Sequence, residues 1–247
     1  MCRDNSYYAK REEHLSRWSL ENFGEEWQPT YHKIAGSSDW PIIVHDSVAD
    51  KNDSPIAHWG LIPFWTKNRA DGMKMSNSMV NARVETIVEK PAYKNLIYSS
   101  RCILPSTGFY EHHHVLIGKK DTSIPFYIKP VDQAIFGLAG IYTTWTDRTT
   151  GEVITSFSVI TTAANEHMQR IHNHGDNKHR MPVMLEPDME TAWLDKGTPA
   201  ATIDEIRNYR IAAEKLQSWP VQSVRKRDRP DDPTLLARVH VEQIDWA

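Results

Sequence analysis

The chain has 247 residues, 40% of them hydrophobic and 25% charged, with a formal net charge of −3. That length allows one large or two small domains with a sizeable core. The near-neutral balance gives no support from bulk charge for nucleic-acid binding, and it leaves open a locally positive groove. Two cysteines rule out a disulfide framework and a CxxC metal or redox motif.

The N-terminus, MCRDNSYYAKREEH, lacks the apolar stretch of a secretory signal, and no run approaches the ~18 apolar residues of a membrane span. A cytoplasmic protein is expected. Residues 10–23 pattern as an amphipathic helix with Leu15, Trp18 and Phe23 on one side. Strands are expected at 41–45, 56–62, 101–105, 124–129, 134–142 and 153–161, from their β-branched and aromatic content. The segment TDRTTGE between the last two is expected to be a hairpin loop, with a short helix after it at 163–171. Pro187-Asp188 opens a further helix carrying Met189, Ala192 and Trp193. Thr202 and Glu205 have capping-box spacing, and Ile203, Ile206, Tyr209, Ala213 and Leu216 continue a helical stripe. RKRDRPDDP, near 225–233, is charged and Pro-rich and is expected to be a solvated loop. No repeat or flexible linker divides the chain. The pattern predicts one α+β domain over 1–247, mainly antiparallel.

Five segments could carry chemistry. Loss of Met1 would leave Cys2 with an α-amine and a thiol on adjacent carbons. That 1,2-aminothiol condenses with aldehydes to a thiazolidine, and its groups titrate near ~8 and ~8.5, so reactive forms exist at neutral pH. Trp59 and Trp65 flank Gly-Leu-Ile-Pro-Phe, either as core residues or as rings lining a groove. Asn81, Arg83 and Glu85 share one face if their segment is extended, and the Arg fork suits phosphate. Glu111 stands among aromatic residues in Gly-Phe-Tyr-Glu, a setting that suits acid–base work or an ordinary strand edge. Finally, His112, His113 and His114, with His172, His174 and His179, raise a metal question, but no spacing matches a known zinc motif. Tandem histidines are expected to be exposed spacers, and no metal or cofactor is expected.

In this order the segments are more specific than any one of them. Cys at position 2, WGLIPxW, NARxET, GFYE and Ile-His before Arg-Met-Pro together resemble the SOS-response-associated peptidase (SRAP) family, the abasic-site processing proteins. The resemblance runs from residue 2 to about 194, with 195–247 as C-terminal elements of the same domain. It implies an α+β fold with a barrel-like β core and peripheral helices. It also implies binding of single-stranded DNA and of junctions with duplex, and a covalent link between Cys2 and the ring-opened aldehyde of an abasic site. The peptidase in the name implies hydrolase chemistry, chiefly self-removal of Met1.

By motif, Cys2 matches the nucleophile and Asn81 the residue that orients it and the sugar. Arg83 matches a phosphate contact, and Glu111 the general acid–base. An insertion breaks the last motif, so His172 is favoured as the family His and His179 is the alternative. Arg3, Lys67, Thr161 and Arg180 join Trp59, Trp65 and Arg83 as expected DNA contacts. The expected partner is abasic single-stranded DNA, met by a monomer, with nucleoid association when bound. Two departures stand out: Cys2-Arg3-Asp4 replaces the usual Cys-Gly-Arg, and His112 replaces a Trp.

Overall fold

A computed structural model describes residues 3–24, 27–225 and 229–244. In chain order the first half contains β1 (Asp4–Tyr7), α1 (Arg11–Trp18), β2 (Thr30–Ile34), β3 (Asp39–Pro41), β4 (Val44–Asp46), β5 (Lys51–Asp53), β6 (Ile56–Trp59), α2 (Arg69–Ser76), β7 (Asn81–Arg83), α3 (Leu96–Ser99) and β8 (Arg101–Ser106). The second half contains β9 (Gly108–Ile117), β10 (Lys120–Pro130), β11 (Phe136–Thr146), β12 (Val153–Ala163), α4 (Glu166–Ile171), β13 (Arg180–Pro182), β14 (Met184–Leu185), α5 (Pro187–Leu194), α6 (Ala200–Arg207) and β15 (Leu216–Pro220). Among the described residues, no helix is long and apolar enough to cross a membrane.

The first sheet has the order β15-β10-β9-β1-β2, and the second has β14-β11-β12-β6-β3, with β8 on β11 and β7 and β13 on β12. One core joins them: Tyr7, Phe109 and Phe126 from the first sheet pack with Trp40, Trp59, Leu104 and Phe157 from the second. The α+β expectation holds, and among the described residues the barrel-like core is not a closed barrel. Among the described residues β2 and β15 each pair with one named strand, so the first sheet keeps two edges, and closure would need every strand to have two neighbours. The ladders are mainly antiparallel, with one local exception: β6 and β7 both run parallel to β12.

Several elements differ from expectation for identifiable reasons. The first helix stops at Trp18 because Ser19 adopts a left-handed C-cap at φ 53°. Thr202 lies inside α6, which starts after Pro199, so the capping box does not form. The helical stripe beyond it breaks at Arg207, and Leu216–Pro220 instead pairs as the outer strand on β10. The 225–233 segment is not simply a solvated loop. Asp231 Oδ1 accepts from the N–H groups of Tyr31 (2.7 Å) and His32 (2.9 Å), and its Oδ2 accepts from Thr30 Oγ1 (2.7 Å). Those donors lie on the exposed edge of β2, so the tail blunts an edge that could otherwise pair with another chain.

Two glycines in the motifs answer to close approach. Gly60 sits at φ +144°, and a Cβ there would meet the Ser76 carbonyl oxygen at 2.6 Å. A Cβ on Gly108 would lie 2.1 Å from the Tyr127 ring. That ring cannot retreat easily, because Tyr127 Oη is held by Ser6 Oγ and by the Thr107 carbonyl, each at 2.9 Å. Gly108→Ala is therefore expected to destabilise the fold by about 1–3 kcal/mol through overpacking. A fall in the urea midpoint with an unchanged slope would show it.

Candidate functional site

The site is built where α4 packs against β9. β9 is sandwiched between β10 and β1, and this buries Glu111 to 7% exposure. α4 begins at an Asn165 cap, whose side chain accepts from Met168 N–H, and it ends at His172, which is 5% exposed. The Nδ1 of His172 lies 4.0 Å from Glu111 Oε2. The same nitrogen faces the backbone of Arg180, 3.3 Å from its N and 3.1 Å from its O. A bare Nδ1 can accept from that N–H, and a protonated one can donate to that carbonyl, so both protonation states find a partner. Burial lowers the His172 pKa and the Glu111 carboxylate only partly offsets it, so the imidazole is neutral at neutral pH. The arrangement is one buried carboxylate beside one neutral imidazole, suited to moving protons.

Of the two candidate histidines, the structure brings His172 to Glu111. His179 is exposed, at φ 58°, and donates its backbone N–H to the His172 carbonyl at 2.8 Å. The insertion between them is thus a loop pinched at its base.

The tandem histidines are not spacers. His112 is half-buried, and burial lowers its pKa against the opposing pull of Glu111. Its N–H donates to Glu111 Oε1 at 3.1 Å. His113 Nδ1 donates to the Arg170 carbonyl at 2.7 Å and ties the end of α4 to β9. The backbone of His114 is gripped from both sides by Asn173, whose Oδ1 accepts at 2.8 Å and whose Nδ2 donates at 2.9 Å.

The cationic candidates separate. Arg83 stands on β7, half-buried like Asn81, and donates to Asn177 Oδ1 in the insertion loop. That partner is neutral, and a phosphate could replace it. Arg180 is already neutralised by Glu85: its Nη2 donates to Oε2 at 2.9 Å, its Nη1 to Oε1, and its Nη2 also to the Thr161 carbonyl at 2.7 Å. Burial raises the Glu85 pKa, but hydrogen bonding from Arg180 holds it low. Thr161 is fully buried, so its side chain is not open to a strand of DNA. Lys67 and Arg3 are exposed.

The two tryptophans also part company. Trp59 is fully buried, donates Nε1–H to the Val80 carbonyl at 3.1 Å and stacks on Phe157. It is core, not a platform for bases. Trp65 is 43% exposed and meets the more exposed Phe64 edge-on at 4.9 Å. Phe64 is thus a surface ring that the motif reading passed over.

Met1 and Cys2 lie outside the described residues. Arg3 and Asp4, which follow them, are well placed. The Arg3 carbonyl accepts from Ala35 N–H at 2.7 Å. Asp4 is 2% exposed and receives His32 Nε2 at 2.8 Å and Arg225 Nε at 3.0 Å, with Arg225 Nη2 on its other oxygen. No sequence signal links residues 4, 32 and 225, and the network was missed for that reason. It gives the Arg3-Asp4 departure a structural role: the carboxylate anchors β1 from its first residue. Burial raises the Asp4 pKa, but hydrogen bonds from His32 and Arg225 bring it down to about 2. The folded pKa is below the unfolded one, so this stabilisation is complete above pH ~4 and is lost as pH falls through 2. It amounts to about 2 kcal/mol. Asp4→Asn is expected to lower stability at pH 7 by that amount and to flatten the stability profile between pH ~4 and ~2, which acid titration of the unfolding midpoint would record.

The sequence pattern of the family described as SOS response associated peptidase (SRAP) matches residues 1–226. Among curated relatives, the abasic site processing protein YoaM of Bacillus subtilis is 32% identical over 226 residues, covering 91% of this chain and 92% of that one. The abasic site processing protein HMCES of Xenopus tropicalis is 29% identical, covering 89% of this chain and 69% of the relative. A crystal structure of a protein from Bacteroides thetaiotaomicron superposes with a TM-score of 0.86 at 33% identity, over 97% of this chain and all of that one. A second, from Bordetella bronchiseptica, has a TM-score of 0.73 at 21% identity, over 90% of this chain and all of that one, and shares the fold.

Proposed function

The chain belongs to the SOS response associated peptidase (SRAP) family, and from that premise we propose that it processes abasic sites in DNA by capturing the ring-opened aldehyde with Cys2. The Glu111–His172 pair is the observation that carries this reading. Asp4, two positions after Cys2 in the sequence, pairs with Tyr110, the residue next to Glu111, which supports this reading.

The chemistry follows in order. Hydrolysis of the Met1–Cys2 bond frees the α-amine, and this self-cleavage is the peptidase step. The amine adds to C1 of the opened sugar, and water leaves to give an imine. The thiol then adds to the imine carbon and its proton passes to the nitrogen, closing a five-membered thiazolidine. Glu111 supplies and receives the protons of ring opening and dehydration. His172, neutral and able to hold a proton in either of two ways, relays them. Amine and thiol share one residue, so ring closure is intramolecular and gains a large effective concentration. Asn81 orients Cys2 and the sugar, and Arg83 holds a phosphate in place of Asn177. Trp65 and Phe64 stack on unpaired bases or against the end of a duplex at a junction. No cofactor or metal enters the reaction.

The test uses single-stranded DNA with one uracil, treated with uracil-DNA glycosylase and resolved on a denaturing gel after incubation with the protein. A slow-migrating covalent band is expected, and Cys2→Ala is expected to abolish it. A band of unchanged intensity from Cys2→Ala would overturn the proposal. Intact mass should show the chain without Met1.

A further inference from the structure

The histidines that match no zinc spacing along the chain converge in space. His114 lies on β9 and Asp121 on β10, across a tight turn and diagonally opposed in the ladder. His174 comes from the insertion loop. One ligand atom from each lies within 4.8 Å of the others. The His114 Nδ1 is 3.1 Å from one Asp121 oxygen and 3.2 Å from the other. The rings of His114 and His174 are stacked, 4.0 Å apart and within 11° of parallel.

We propose that His114, Asp121 and His174 form a binding site for a divalent transition-metal ion of the zinc class, separate from the Glu111–His172 centre. Two imidazoles and a carboxylate are a ligand set that zinc accepts, with water in a fourth position. Zinc–nitrogen and zinc–oxygen bonds of about 2.1 Å set neighbouring ligand atoms of a tetrahedron about 3.4 Å apart. The existing separation of His114 from Asp121 is already close to that, with a proton where the ion would sit. Neutral imidazole is the form that ligates.

The supporting contacts are built. Asn173, adjacent to His174, clasps the N–H and carbonyl of His114. This fixes the loop to the strand at the point where the ligands meet, as outer partners do at metal sites. The ion would clamp the insertion loop, whose two ends carry His172 and Arg180 and whose Asn177 holds Arg83.

The experiment is calorimetric titration of zinc chloride into the full-length chain after removal of metal with a chelator. Cys2→Ala serves as the background, because a free aminothiol would itself take zinc. One ion per chain is expected. His174→Ala and Asp121→Asn should each weaken binding at least tenfold, and His240→Ala, an exposed histidine elsewhere, should leave it unchanged. Circular dichroism of each variant verifies that it is folded. Hydrogen exchange should slow across 173–179 on zinc addition in the background chain and not in His174→Ala. Absence of stoichiometric uptake, or equal affinity in the parent and both ligand variants, would overturn the site. Uptake without protection of 173–179 would overturn the clamp.

Discussion

Glu111→Gln is expected to slow covalent capture of an abasic single strand by roughly 10²- to 10⁴-fold, the usual contribution of a positioned acid–base group. The substitution keeps the volume and much of the hydrogen bonding. The amide oxygen can still accept from His112 N–H, so the local backbone keeps its partner. What is lost is the ability to exchange a proton. Noncovalent affinity for undamaged single-stranded DNA should stay within about twofold, because Glu111 is 7% exposed and offers little to a bound strand. Single-turnover rates on a denaturing gel and anisotropy with undamaged DNA separate the two effects. A Gln variant that captures the sugar at the parental rate would remove Glu111 from the mechanism.

The pH dependence carries a sign. Burial lowers the His172 pKa below that of a free imidazole, so the neutral ring persists on the acid side of 6.5. Protonation below that lowered value withdraws the proton acceptor. The limb of the capture rate that His172 sets should therefore lie below pH 6.5, beneath the one set near ~8 by the Cys2 α-amine.

The legible parts of this chain were those in which local chemistry decides. The hairpin loop at 147–152 and the long strands around it follow from β-branched runs and turn residues, and β11 and β12 pair across it as expected. Pro187 opens α5 because its missing N–H costs nothing in the first turn. Glu111 and His172, singled out by motif order, lie side by side.

The illegible parts are those in which a distant residue decides. β1 reads Asp-Asn-Ser-Tyr, a polar run with no apolar alternation, yet all four residues are buried. It is a strand because Asn5 Oδ1 accepts from Ser106 Oγ, Ser6 Oγ donates to the Gly108 carbonyl, and Asp4 meets Arg225. None of those partners is visible within a window. The tail stripe of Ile203, Ile206, Tyr209, Ala213 and Leu216 has helical spacing, but pairing with β10 outweighs weak helical propensity after Arg207. His113 and His114 read as surface filler, because their partners, the Arg170 carbonyl and the Asn173 side-chain amide, are far away in the sequence.

The sharpest contrast is between two tryptophans six residues apart in one motif. Trp59→Ala is expected to destabilise the fold by about 3–5 kcal/mol, the cost of a large cavity in a closed core. The ring touches Trp40 and Phe157 and is fully buried, so little around it can collapse into the space. The Val80 carbonyl loses the indole donor but keeps Val159 N–H at 3.1 Å, so the loss is mainly one of packing. For a chain of this size the melting temperature should fall by on the order of 10 °C. Trp65→Ala should behave in the opposite way. The ring is 43% exposed and touches Phe64, so the melting temperature should barely move. Affinity for single-stranded DNA should drop by about 1–3 kcal/mol, the worth of one stacked base. Thermal melts and anisotropy on the same two variants measure both quantities. A Trp59→Ala protein that melts like its parent would contradict the packing described for the core. A Trp65→Ala protein that binds like its parent would move the stacking surface away from this motif and leave Arg83 as the main contact to be tested for DNA.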